Sequence, residues 1–254
     1  MRDRRGRVRD RRGRALAVVA DVSISAEAKA LAYAAAPKFG RIDIWVNNAG
    51  SGALGKFEDV LLADHVHIIK TELPGTLCGS YFAVRRLNLQ KSGTLINIAL
   101  VIGKVPAPYF ASYAAAKHGV VGLSGAIRQE LIEAKADGIH VCVVLPASMD
   151  TPFFAHTANY TGHEAVPIPP VYDPQTIVDV ILALAIKPQD ETSAGSAAAA
   201  TVVGHHFTRA VIEAAMAKLT GTALKHSPPA SDTEGGLHSP IPEGTEVTGG
   251  FLKK

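Results

Sequence analysis

Cysteine, long apolar runs and a secretory leader are what this chain lacks, and each lack excludes something. Its two cysteines, Cys78 and Cys142, stand in apolar contexts with no paired spacing. They read as buried free thiols in a reducing compartment rather than as a disulfide framework or a metal motif, so a cytoplasmic protein is expected. No run of about 18 apolar residues occurs, so no membrane span is expected. The arginine-rich N-terminus has no apolar h-region, which argues against a secretory signal. What is present is a chain of 254 residues, 47% hydrophobic and 19% charged, long enough for one large α/β domain with a substantial core.

The formal charge of +3 hides an asymmetry. "RDRRGR" occurs at residues 2–7 and again at 9–14, a net +6 that leaves −3 on the rest. Such a segment suits a disordered tail, an arm for RNA, DNA or anionic lipid, or a replacement for something that ordinarily stands there. It has neither interleaved aromatics nor an apolar face, so it does not read as a folded nucleic-acid module. Residues 1–14 are taken as a tail, 15–204 as the main domain, 205–226 as a C-terminal helix and 227–254 as a disordered or surface-draped Pro/Gly/Ser-rich tail.

Within the main domain, strand-like and helix-like runs alternate. "ALAVVADVS" ends in Asp21 and Ser23 and reads as a buried strand followed by a helix cap. "IDIWVNNAG", "GTLINIAL" and "IHVCVVLPA" read as further buried strands. Helices are expected over 26–40, 58–70, 76–89 and 113–136, and after Asp173-Pro174. "ETSAGSAAAATVVG" is a poor strand, and 207–219 a last helix. This alternation predicts a parallel sheet covered by helices on both faces. Residues 151–173, with four prolines and little periodicity, form a loop whose length suggests function.

Tyr113 and Lys117 are four residues apart, hence one turn apart on one helix face. A phenol beside an ammonium can serve as a proton donor, because the positive charge favours the phenolate. With "NNAG" at 47–50 before "YAAAK" and "LPASMDTPF" after it, the chain resembles the short-chain dehydrogenase/reductase family. The resemblance covers roughly 15–204 and implies a Rossmann-like doubly wound parallel sheet. It also implies an NAD- or NADP-dependent oxidoreductase that interconverts a carbonyl and a secondary alcohol. By position, Tyr113 would exchange the proton, and Lys117 would bind the nicotinamide ribose and lower the tyrosine pKa. Asn48 would support the sheet, and Ala49 and Gly50 would let backbone approach the cofactor. Asp21 and Val22 would contact adenine, although Asp21 is equally a simple helix cap. Pro146 to Thr151 would lie beside the nicotinamide. The family also implies a homo- or hetero-oligomer packed through helices 76–89 and 113–136.

Three departures are visible. The family's catalytic serine position, thirteen residues before the tyrosine, is Leu100. Losing one such donor costs on the order of 3–4 kcal/mol in transition-state stabilisation. Ser112 beside the tyrosine should point away from it. The family's helical asparagine is Glu72, in "TELPG", which would bind a water or pair with Lys117 and neutralise it; Pro74 nearby should kink the helix. The first βαβ unit, with its glycine-rich phosphate turn, has no counterpart before Ala15. The expectation is therefore an N-terminally truncated, catalytically degenerate member, or a non-catalytic scaffold, in which residues 15–23 pair directly with "IDIWVNNAG" or detach.

Overall fold

The computed structural model describes residues 13–253; the arginine repeat lies outside them apart from Gly13 and Arg14. Four parallel strands make the central sheet: β1 (Ile44–Asn47), β3 (Gly93–Ile98), β4 (Ile139–Pro146) and β8 (Glu191–Ala194), in the order β1-β3-β4-β8. β3 and β4 are near-continuous apolar runs because both of their faces are covered. Leu95, Val141, Val143 and Leu145 point towards α2 (Leu62–Gln90) and α3 (Ala111–Glu133), where they meet Ala83, Leu87, Val120 and Leu131. Ile96, Ile98, Cys142 and Val144 point the other way, onto Leu184 of α5 (Gln175–Ile186). Burial of Cys142 raises its thiol pKa, whereas Cys78 is only half-buried.

Residues 15–23 form no strand. Val18 and Val19 are exposed, and α1 (Ser25–Phe39) packs on α2 rather than bridging this segment to β1. Val22 rests on Gly75 of α2. Of the two arrangements open to the segment, detachment from the sheet is the one found, and β1 is the sheet edge, with Ile44 and Val46 about two-fifths exposed.

The helices expected over 58–70 and 76–89 are one helix, α2, with Pro74 inside it. Proline removes one helical hydrogen bond, but α2 is anchored on both sides of it. After Pro74, Gly79 lets the helix backbone come against Asn47, where a Cβ would fall 2.1 Å from Oδ1. Asn47 is the hub of a part-buried network: it accepts from Trp45 Nε1 at 2.7 Å and donates to Asn97 Oδ1 at 2.8 Å and Ser80 Oγ at 3.0 Å. The asparagine that ties the sheet to α2 is therefore Asn47, not Asn48.

Beyond β4 come the short pairs β5 (Ser148–Met149) with β7 (Val171–Tyr172), and β2 (Ala53–Leu54) with β6 (Ala158–Asn159), and between them α4 (Phe153–His156). The poor strand signal at "ETSA" is β8, an edge strand paired through its backbone to β4, where small side chains suffice. It leads into α6 (Ser196–Phe207) and α7 (Arg209–His226), so a boundary at 204/205 falls within α6. Residues 227–253 are held against the body of the protein. Thr233 pairs with Asn159, His238 Nε2 lies 2.8 Å from Asp64 Oδ1, and the N–H of Phe251 donates to Asp150 Oδ1 at 2.9 Å. Leu237 is buried in the core.

Candidate active site

The carboxyl ends of β1, β3 and β4 converge, as parallel α/β sheets do at their ligand crevices. Tyr113 sits in the first turn of α3 and Lys117 one turn on, with Nζ 5.4 Å from the phenol ring centroid. Both are almost fully buried. They open onto a cavity of about 500 Å³ that Asn48, Gly50, Pro146 and Thr151 also line. The structure thus brings together six of the nine sequence-selected positions. Ala49 is exposed and outside the cavity wall. Asp21 and Val22 are also outside it. Asp21 Oδ1 accepts the Ser23 N–H at 2.9 Å, and the Ser23 hydrogen bonds hold its carboxyl below the usual range. Of its two readings, the structural one, a turn leading into α1, is what the geometry displays.

Glu72 is the decisive neighbour. It is completely buried, its Oε2 lies 2.8 Å from Lys117 Nζ, and its Oε1 accepts the Ser51 N–H at 2.7 Å. Lys117 also donates to the Ile98 carbonyl at 2.9 Å. The Lys117 ammonium is thus the ion-pair partner of Oε2, while Oε1 takes a backbone N–H. Burial raises the Glu72 pKa, with Lys117 opposing that shift. Of the two roles open to this glutamate, it takes the pairing one. The consequence at Tyr113 reverses the expected direction: burial first, and then the Glu72 charge, push the phenol pKa well above its ordinary value.

Leu100 occupies the serine position with φ 69° and ψ 161°, a backbone region used almost only by glycine. Its side chain is part of the cavity wall and packs against two apolar clusters. Ser112 does not stand in for the missing hydroxyl: its Oγ is 2.7 Å from His65 Nδ1, and His65 Nε2 is 3.0 Å from the Phe57 carbonyl. His65 was invisible in the sequence, since nothing in its spacing ties it to Ser112. Phe153, with its ring 5.6 Å from that of Tyr113, and Glu246, from the C-terminal segment, are further cavity residues that sequence reasoning did not select.

A nicotinamide dinucleotide fits these residues only in part. The groups that would face the nicotinamide and its ribose share the cavity, although Lys117 is already engaged by Glu72. Among the described residues no glycine-rich turn at a helix N-terminus faces this crevice, so the diphosphate has no cradle there. The described residues also contain no cluster of histidine, cysteine and acidic side chains able to hold a metal ion. No described helix is long and apolar enough to cross a membrane.

A parallel sheet layered by helices, with a tyrosine and a lysine one helical turn apart at its carboxyl edge, defines a Rossmann-like α/β protein. The chain belongs to the short chain dehydrogenase family, which it matches over residues 5–160. It is 30% identical over 198 residues to an uncharacterized oxidoreductase, YxnA, of Bacillus subtilis, covering 77% of this chain and 55% of that protein. It is 33% identical over 197 residues to a 3-oxoacyl-[acyl-carrier-protein] reductase of Synechocystis, covering 77% and 74%. The fold matches a short chain dehydrogenase from Burkholderia cenocepacia in complex with NADP, with a TM-score of 0.65, 23% identity and coverage of 78% and 77%. The chain spans little more than half the length of several curated relatives that it matches.

Proposed function

We propose that the cavity is the substrate side of an NAD- or NADP-dependent oxidoreductase that interconverts a carbonyl and a secondary alcohol, and that this chain by itself turns over slowly. The observation that carries the reading is the shared cavity of Tyr113, Lys117 and the 146–151 segment. With its pKa raised, Tyr113 is a neutral phenol at pH 7, able to donate a hydrogen bond to a carbonyl oxygen and reluctant to give up its proton. Leu100 supplies no second donor to that oxygen, a deficit of about a hundred- to a thousandfold in rate.

The test is NADH and NADPH oxidation with a panel of ketones at high protein concentration, alongside a nicotinamide fluorescence titration. The expected result is millimolar or weaker cofactor binding and a trace turnover that Tyr113→Phe abolishes. Turnover that survives Tyr113→Phe would overturn the assignment, and fast turnover would overturn the claim of impairment.

A second reading, a non-catalytic relative that acts as an oligomerisation partner through 76–89 and 113–136, is favoured by Leu77, Tyr81 and Leu89. These leave much of their apolar surface on α2 exposed. A monomer by light scattering at high micromolar concentration would remove its self-association form.

A further inference from the structure

We infer that the cavity selects uncharged, largely hydrocarbon ligands bearing a single hydroxyl or carbonyl, and rejects carboxylates, sulfonates and phosphates, through Glu72 behind Lys117 and Glu246 at its wall. This deepens the proposed reading of the cavity as the substrate side and rests on it.

The walls set the first half of the inference. Leu100, Ile102, Phe110, Phe153, Met216 and Leu219 all line the space, and all but Leu219 pack with Tyr113 in one apolar cluster. A ligand of mainly carbon surface exchanges water for these side chains at a gain proportional to the area covered. The Tyr113 phenol, itself almost fully buried, offers one polar anchor, which a hydroxyl or carbonyl oxygen satisfies.

Charge sets the second half. An anion entering an apolar cavity needs a counter-ion or it keeps its full desolvation cost. Among the described lining residues there is no arginine, and the single lysine is Lys117. Its charge is already matched by the completely buried Glu72 at 2.8 Å. The one histidine in the wall, His156, has its Nε2 3.0 Å from the Gly244 carbonyl, which engages that ring nitrogen. The C-terminal segment that carries Gly244 also brings Glu246 to the same wall, where the described residues give it no basic partner. An incoming carboxylate would therefore meet one uncompensated like charge, Glu246, and, among the described lining residues, no free cation, whereas a neutral alcohol or ketone meets neither obstacle. Glu72 decides the sign: without it, Lys117 would be a buried ammonium ready to receive an acid.

The experiment compares two fluorescent probes of one ring system, neutral N-phenylnaphthylamine and its sulfonated counterpart anilinonaphthalene sulfonate, titrated against the full chain at neutral pH without cofactor. The neutral probe is expected to bind at least about thirtyfold more tightly. Decalone should displace it, and decalin carboxylate should not. Thr201→Trp, from the half-buried cavity face of α6, should weaken the neutral probe at least about tenfold by filling the space. Glu246→Gln should narrow the preference several-fold, and Glu72→Gln should narrow it further by freeing Lys117. Equal or tighter binding of the sulfonate, no binding of the neutral probe, or an unchanged ratio in Glu246→Gln would each overturn the inference. Glu246 is exposed, so that variant carries the test even if Glu72→Gln fails to fold. No cofactor enters the titration, so failure here is separate from failure of the redox assay.

Discussion

β1 and β4 lie in the same sheet, two positions apart, and differ in everything but direction. β4 has a neighbour on each side and helices over both faces, and seven of its eight residues are buried. Among the described residues β1 has one neighbour, and alternate residues along it face solvent. The tyrosine, the lysine and the 146–151 segment belong to the β4 side and share a finished cavity. The "NNAG" turn belongs to the β1 side, where Asn48 to Gly50 are exposed despite their motif. The motif therefore identifies a lineage, while its surroundings decide what it can hold. In this chain the cavity beside Tyr113 is built, and among the described residues no glycine-rich turn at a helix N-terminus stands on the β1 side.

Substitutions on the β4 side should break this asymmetry most severely. Lys117→Met leaves the Glu72 carboxylate buried and unpaired, and is expected to cost about 3–5 kcal/mol. The double variant with Glu72→Gln should recover most of that loss, because the penalty belongs to the stranded charge. Chemical denaturation of the four-member cycle measures both, and an additive result would remove the ion pair as their link. Next, Leu145→Ala in β4 should cost about 2–5 kcal/mol, and Val46→Ala at the β1 edge less than about 1 kcal/mol. Equal losses would mean that β1 is covered in solution.

How much of this was legible in the sequence follows the same division. β3, β4 and the long helix after "YAAAK" were readable because their apolar patterns are satisfied by contacts on both faces. The segment 15–23 was not, because "ALAVV" is a strand only if another strand lies beside it. β8 was obscured for the opposite reason: its small residues carry no packing signal, and its pairing is through the backbone. α2 was divided at Pro74 because the local cost of proline is visible in sequence, while the contacts that outweigh it are not. In the site, Leu100 and Glu72 were readable as departures, and pairing with Lys117 was one of two outcomes left open. Glu246 was not readable at all, since its place in the cavity wall depends on a tail anchored to residues about a hundred positions earlier.

A pH test sharpens the comparison further. The folded-state pKa of Tyr113 lies above its unfolded value, so the unfolded chain loses this proton first as pH rises. Stability should therefore fall with pH from about 10, the ordinary tyrosine value, upward to the raised folded value. Tyr113→Phe should remove that part of the alkaline loss, as read from melting temperatures at pH values on either side of 10. An identical slope in wild type and variant would mean that the phenol is more exposed than its geometry indicates. The smallest effect is expected at Asp21, an exposed turn residue. Asp21→Ala should cost less than about 1 kcal/mol and leave binding of the neutral probe unchanged. A change in probe affinity would instead tie this turn to the cavity.

The approach of Glu72 to the "NNAG" turn has a historical consequence. A Cβ at position 50 would fall 2.3 Å from Glu72 Oε1, so any larger residue there must push the carboxylate away from Lys117 and the Ser51 N–H. The two positions are consequently not free to change in either order. A lineage that acquires Glu72 ties position 50 to the Lys117 ion pair, and a shorter residue at 72 releases it. Libraries that randomise position 50 alone should favour glycine; libraries that randomise both should recover larger residues at 50 mainly in company with smaller ones at 72.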